Sequence, residues 1–124
     1  MTKTAMISIV DDDDSVREST KALVRSLGYS ACSFASAEEF LDADTDDTNC
    51  LIVDIQMTGL SGVELQERLK AQGRHIPVIF ITAFADERTR GHALASGAVG
   101  FLRKPFSDEK LTSCIDSALA QYDC

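Results

Sequence analysis

Residues 5–14 read Ala5-Met6-Ile7-Ser8-Ile9-Val10-Asp11-Asp12-Asp13-Asp14, a short apolar run that stops at four acids. A run of that length without regular polar alternation is the pattern of a strand buried on both faces. The same unit recurs along the chain. Cys50–Ile55 is apolar, β-branched at Ile52, Val53 and Ile55, and carries Asp54. Pro77–Ile81 is the richest in β-branched and aromatic residues and leads into Thr82-Ala83. Val99–Leu102 leads into Arg103-Lys104-Pro105, and Ser30–Phe34 supplies one more run.

Helical patterns lie between these runs. Val16, Leu23, Val24 and Leu27 share a face, and Gly28 sits where a helix-ending glycine belongs. Ser36-Ala37-Glu38-Glu39 and Ser61-Gly62-Val63-Glu64 both have capping-box spacing. The second opens a helix carrying Leu65 and Leu69 and closed by Gly73. Asp86 can cap a fourth helix, with Ala93 and Leu94 turned inward and Gly97 at its end. Ser107 can cap the last, whose inner face holds Leu111, Cys114, Ile115, Ala118, Leu119 and Tyr122. Five strands alternating with five helices predict an α/β fold, a doubly wound (βα)5 with one parallel sheet. Right-handed crossovers favour the flavodoxin-like strand order 2-1-3-4-5.

The 124 residues suffice for one domain with its own core. Twelve Lys plus Arg against 20 Asp plus Glu give a net charge of −8, which disfavours binding to nucleic-acid phosphates. No Lys or Arg lies between Arg25 and Arg68, a stretch with nine acids. Apart from Asp54 these read as a solvated acidic face. No apolar run reaches the roughly 20 residues of a membrane span, and a secretory signal is not expected from the opening residues. Cys32, Cys50 and Cys114 sit among apolar residues and read as small buried hydrophobes, while Cys124 is incidental. No cysteine–histidine spacing suits zinc, and His75 and His92 read as surface or packing residues. A reduced, cytoplasmic location is expected.

In an open parallel sheet, ligands bind beyond the carboxyl ends of the strands. The strand order would bring Asp11, Asp12 and Asp54 into one crevice. Three close carboxylates repel unless a cation joins them. Oxygen ligands with room for water suit Mg²⁺. Lys104 adds a positive charge and Thr82 a hydroxyl, which together make a cradle for a phosphoryl group. Asp54 is then the candidate nucleophile, since a carboxylate can carry a covalent phosphoryl group. Asp13 and Asp14 read as the turn and cap of the first helix.

These stretches resemble the receiver domain of bacterial two-component response regulators, in particular the FixJ-like branch. The resemblance rests on Ile9–Asp13 with Val16-Arg17, Ser36–Leu41, Leu51–Asp54, Met57, Gly59, Gly62, Pro77–Ala83, Gly97-Ala98, Gly100–Leu102 and Lys104–Phe106. It implies that Asp54 is the phosphoacceptor and that Lys104 and Thr82 contact the phosphate. It implies a Mg²⁺ (or Mn²⁺) site of Asp11, Asp12, Asp54 and the backbone carbonyl of Gln56. Phe101 would be the switch aromatic, and Lys104-Pro105 a cis peptide. The donor would be a sensor histidine kinase or histidine phosphotransfer protein. Output would pass by protein contact through helix four, strand five and helix five, with a phosphorylation-dependent homodimer left open.

Thr58 stands where the family usually has proline, and Gln56 and Phe84 would influence access to the phosphoryl group. FixJ-like receivers usually continue into a DNA-binding domain. Here the last helix is followed closely by Cys124, so the expectation for residues 1–124 is one receiver, stand-alone or excised. Three other readings compete. A Mg²⁺-dependent aspartyl-nucleophile phosphohydrolase would want an acid where Gln56 stands. A flavin or nucleotide binder would want a glycine-rich loop after strand one. A receiver that no longer signals by phosphorylation would not need the full acid, threonine and lysine set.

Overall fold

The computed structural model describes residues 5–43, 47–57, 59–83, 87–104 and 106–120. Five strands, β1 (Met6–Val10), β2 (Ser30–Phe34), β3 (Cys50–Asp54), β4 (Val78–Thr82) and β5 (Gly100–Arg103), alternate with five helices. These are α1 (Asp14–Ser26), α2 (Ala37–Asp42), α3 (Gly62–Ala71), α4 (Glu87–Ala95) and α5 (Asp108–Ala120). All strands pair in parallel, in the order β2-β1-β3-β4-β5. This is the predicted flavodoxin-like order.

The apolar strands feed two cores, one on each face of the sheet. Ile7 and Ile9, Cys50 and Ile52, and Ile79 and Ile81 face one side with Val24, Leu111, Ile115 and Ala118 of α1 and α5. The alternate residues Val10, Leu51, Val53, Val78 and Phe80 face the other, with Phe40, Leu65, Leu69 and Ala93 of α2, α3 and α4. Period-two side-chain alternation therefore divides uniformly apolar strands between two helix layers. Ser8, the polar exception in β1, is buried with its Oγ 2.7 Å from Thr48 Oγ1.

The helix starts follow the caps in the sequence. Ser61 and Glu64 form both halves of a capping box. Ser36 Oγ accepts the Glu39 N–H at 3.1 Å, and Ser107 Oγ accepts the Lys110 N–H at 3.2 Å. Gly28, Gly73 and Gly97 follow helices with positive φ, the conformation that glycine adopts without strain. The proposed Asp86 cap, Tyr122 and Cys124 lie outside the described residues.

Two expectations are corrected. Leu94 is 41% exposed rather than turned inward, because α4 buries only Ala93. Cys32 is exposed rather than buried, because it lies on the edge strand β2 and only its neighbour Ala31 is buried. Among the described residues, no helix is long and apolar enough to cross a membrane.

Candidate functional site

Strand register builds the site. Val10 pairs with Val53, Asp54 with Ile81, and Thr82 with Arg103. Asp11, Asp54, Thr82 and Lys104 therefore end their strands at neighbouring levels on the carboxyl edge. The Lys104 N–H donates to the Thr82 carbonyl at 2.7 Å, and the Ile55 N–H to the Ile81 carbonyl at 3.0 Å, so the ladder continues into the site.

Carboxylate oxygens of Asp11, Asp12 and Asp54 lie within 4.8 Å of one another. Asp11 and Asp54 are buried, whereas Asp12 is exposed. Lys104 Nζ bridges the buried pair, 2.7 Å from Asp54 Oδ2 and 3.1 Å from Asp11 Oδ2. The second oxygen of each carboxylate accepts a backbone N–H at 2.9 Å, from Gln56 to Asp54 and from Asp13 to Asp11. Thr82 is fully buried at the end of β4. Phe101 is half-buried on β5 and packs against the core that holds Phe80 and Ala93.

Burial raises the pKa of Asp11, and the negative charge of Asp54 adds to this. The Asp13 N–H and the Lys104 ammonium oppose the rise without cancelling it. For Lys104, burial disfavours the ammonium, but hydrogen bonds and charge from Asp54 and Asp11 outweigh it and raise the pKa. Three carboxylates and one ammonium leave a formal excess of two negative charges. All-oxygen donors with that excess fit a hard divalent cation such as Mg²⁺.

Asp11, Asp12, Asp54, Thr82 and Lys104 are thus brought together, with the Gln56 backbone beside them. Phe101 lies on the adjoining strand. Pro105, and with it the expected cis peptide, lies outside the described residues, as do Thr58 and Phe84. Asp13 caps α1 as expected, accepting the Val16 N–H at 3.1 Å. His75 and His92 are exposed.

Sequence reasoning named Arg17 and Gly62 as matching positions but gave neither a role at the site. Arg17 Nη1 donates to the Asp11 carbonyl at 2.8 Å while its other terminal nitrogen pairs with Asp14. Its signal was the i, i+3 spacing of Asp14 and Arg17 on one helix. Gly62 lets α3 start against β3: a Cβ there would lie 2.7 Å from the Asp54 carbonyl and 3.1 Å from the Phe80 ring.

A model of the response regulator receiver domain matches residues 7–116. The transcriptional regulatory protein FixJ of Bradyrhizobium diazoefficiens is 39% identical over 124 residues, covering 99% of this chain and 60% of the relative. The response regulator protein TodT of Pseudomonas putida is 42% identical over 118 residues, covering 94% and 52%. The chain thus spans about half to three-fifths of the length of these relatives. The crystal structure of FixJ-N superposes with a TM-score of 0.88 at 34% identity, covering 96% of each chain. Fold, strand-end chemistry and these likenesses agree: the chain belongs to the receiver-domain family of two-component response regulators, the domains of phosphorelay signalling.

Proposed function

We propose that Asp54 accepts a phosphoryl group from a phosphohistidine on a sensor histidine kinase or histidine phosphotransfer protein. The observation that carries this reading is the double pairing of Lys104 with Asp54 and Asp11 at the strand ends. An Asp54 carboxylate oxygen attacks phosphorus, the donor's N–P bond breaks, and the imidazole leaves and takes up a proton. An acyl phosphate on Asp54 results.

Asp11, Asp12, Asp54 and the Gln56 carbonyl are the residues that would hold Mg²⁺ or Mn²⁺. The ion supplies neutralisation of the phosphoryl oxygens. Lys104 shifts its hydrogen bonds from carboxylate to phosphate, and Thr82 offers its hydroxyl to another oxygen. As Thr82 moves, Phe101 takes up the space it leaves. The surface of α4, β5 and α5 then changes its affinity for an output partner, carried by another molecule or another part of the protein. A phosphorylation-dependent homodimer is one form of that contact.

The chain acts as one receiver unit that takes up and passes on a signal, not as a turnover enzyme. The reading assigns it to the cytoplasm, where Cys32, Cys50 and Cys114 stay as free thiols. Incubation with acetyl phosphate and Mg²⁺, followed by intact mass, tests the chemistry. One hydroxylamine-labile phosphoryl group is expected, absent with chelator and in Asp54→Asn. Labelling that survives Asp54→Asn would overturn the assignment.

A further inference from the structure

Among the described residues, helix α4 buries fewer side chains than any other helix. It buries only Ala93, and it exposes Leu94. Besides the packing of Ala93 and Ala98 on the core, polar groups of α3 hold its carboxyl end. Gln66 is a buried amide, 5% exposed, on the face of α3 that meets α4. Ser96 Oγ donates to Gln66 Oε1 at 2.7 Å and lies 2.7 Å from the Ala93 carbonyl, so one hydroxyl ties α3 to the last turn of α4. One turn further along α3, Lys70 Nζ donates to the Ser96 carbonyl. Its ammonium also lies against Gly97, where a Cβ would come within 3.5 Å of it. Gly97 has φ +99° and ends the helix, so the tether grips the chain where α4 reverses toward β5.

We propose that Gln66, Lys70 and Ser96 form a latch that holds α4 in its unphosphorylated position and so sets how readily the domain switches. The latch lies toward the end of the sheet opposite the acid cluster, beside Ile76, Pro77 and Val78 where β4 begins. It acts on the acceptor site through the position of α4 and touches none of the reacting groups. These three are therefore positioning residues. The regulatory part rests on the phosphoacceptor reading given above, whereas the tether does not. A group that stabilises one of two states slows passage to the other. A hydrogen bond of ordinary strength corresponds to about five-fold in such an equilibrium.

Ser96→Ala and Gln66→Leu, each on the full chain, remove the hydroxyl and the amide while keeping the volume nearly unchanged or apolar. Ser96→Thr keeps the hydroxyl and serves as the rescue. Amide hydrogen exchange of residues 93–98 in the unphosphorylated protein is expected to rise by about five-fold in both variants and to stay at the wild-type level in Ser96→Thr. The rate of phosphoryl uptake from acetyl phosphate with Mg²⁺ is expected to rise in the same two variants by up to about five-fold. Unchanged exchange in Ser96→Ala and Gln66→Leu would overturn the latch. Faster exchange with an unchanged uptake rate would overturn its regulatory role. A wild-type chain that takes up no phosphoryl group at all would refute the acceptor reading and the regulatory role together, while the exchange result would still judge the tether.

Discussion

Replacing Lys104 by Met keeps the aliphatic stem and removes the one ammonium that joins two buried carboxylates. In the wild-type protein that ammonium is 2.7 Å from Asp54 and 3.1 Å from Asp11, and its side chain is 16% exposed. Removing one partner of a buried pair typically costs about 3–5 kcal/mol. Each carboxylate keeps one backbone N–H bond, and Lys104 reaches solvent, so the expected loss is about 2–3 kcal/mol. For a domain of this size that lowers Tm by roughly 8–12 °C without metal. Mg²⁺ should reverse the order of effects. The variant carries three uncompensated carboxylates where the wild type carries an excess of two charges, so it gains more from a divalent cation. Wild-type protein at about 100 times the dissociation constant gains roughly 2.7 kcal/mol. Thermal melts of both proteins with chelator and across a Mg²⁺ titration measure this. A variant as stable as wild type in chelator, or one that gains less from Mg²⁺, would refute the electrostatic reasoning.

Further predictions follow from single positions. Gly62→Ala places a Cβ against the Asp54 backbone and should cost about 2–3 kcal/mol in urea melts, whereas Gly91→Ala, in open space on α4, should stabilise by about 0.5–1 kcal/mol. The raised pKa of Asp11 means that protons compete with metal above the usual carboxylate range. Calorimetric Mg²⁺ affinity should therefore fall from about pH 7 to about pH 4.5, and Asp11→Asn should lower the affinity and flatten that slope. For the metal-free fold the sign is opposite. A raised folded pKa contributes stability below the unfolded value, lost as pH rises through the folded one, so metal-free melts should show Asp11→Asn relieving a cost at neutral pH. Burial pushes the Cys50 thiol up to about 12, so iodoacetamide at neutral pH should label Cys32 and leave Cys50 unmodified in peptide maps.

The sheet and its site were legible because both are written in local pattern. Apolar runs mark the strands, and Ser61 with Glu64 marks a helix start by spacing alone. Strand order then brings Asp11, Asp54, Thr82 and Lys104 to one edge. Leu94 misled because α4 has almost no apolar periodicity, so a leucine beside Ala93 looked like a second core residue. Cys32 misled because its residue type and apolar neighbours suggested burial, although the predicted strand order already put β2 at the sheet edge, where alternate side chains face solvent. The contacts of Gln66 and Lys70 with Ser96 were invisible for another reason. They join segments that only the folded chain makes neighbours, and polar side chains at such separations leave no periodic signature.

The carboxylate of Asp54 is the group expected to receive the phosphoryl group. Borohydride reduction of the phosphorylated chain converts an aspartyl phosphate to homoserine, which tandem mass spectrometry locates in the sequence. Homoserine is expected at position 54 alone, and only after exposure to donor with Mg²⁺. Homoserine at any of the other acids, or none in protein that has gained a phosphoryl group, would contradict it.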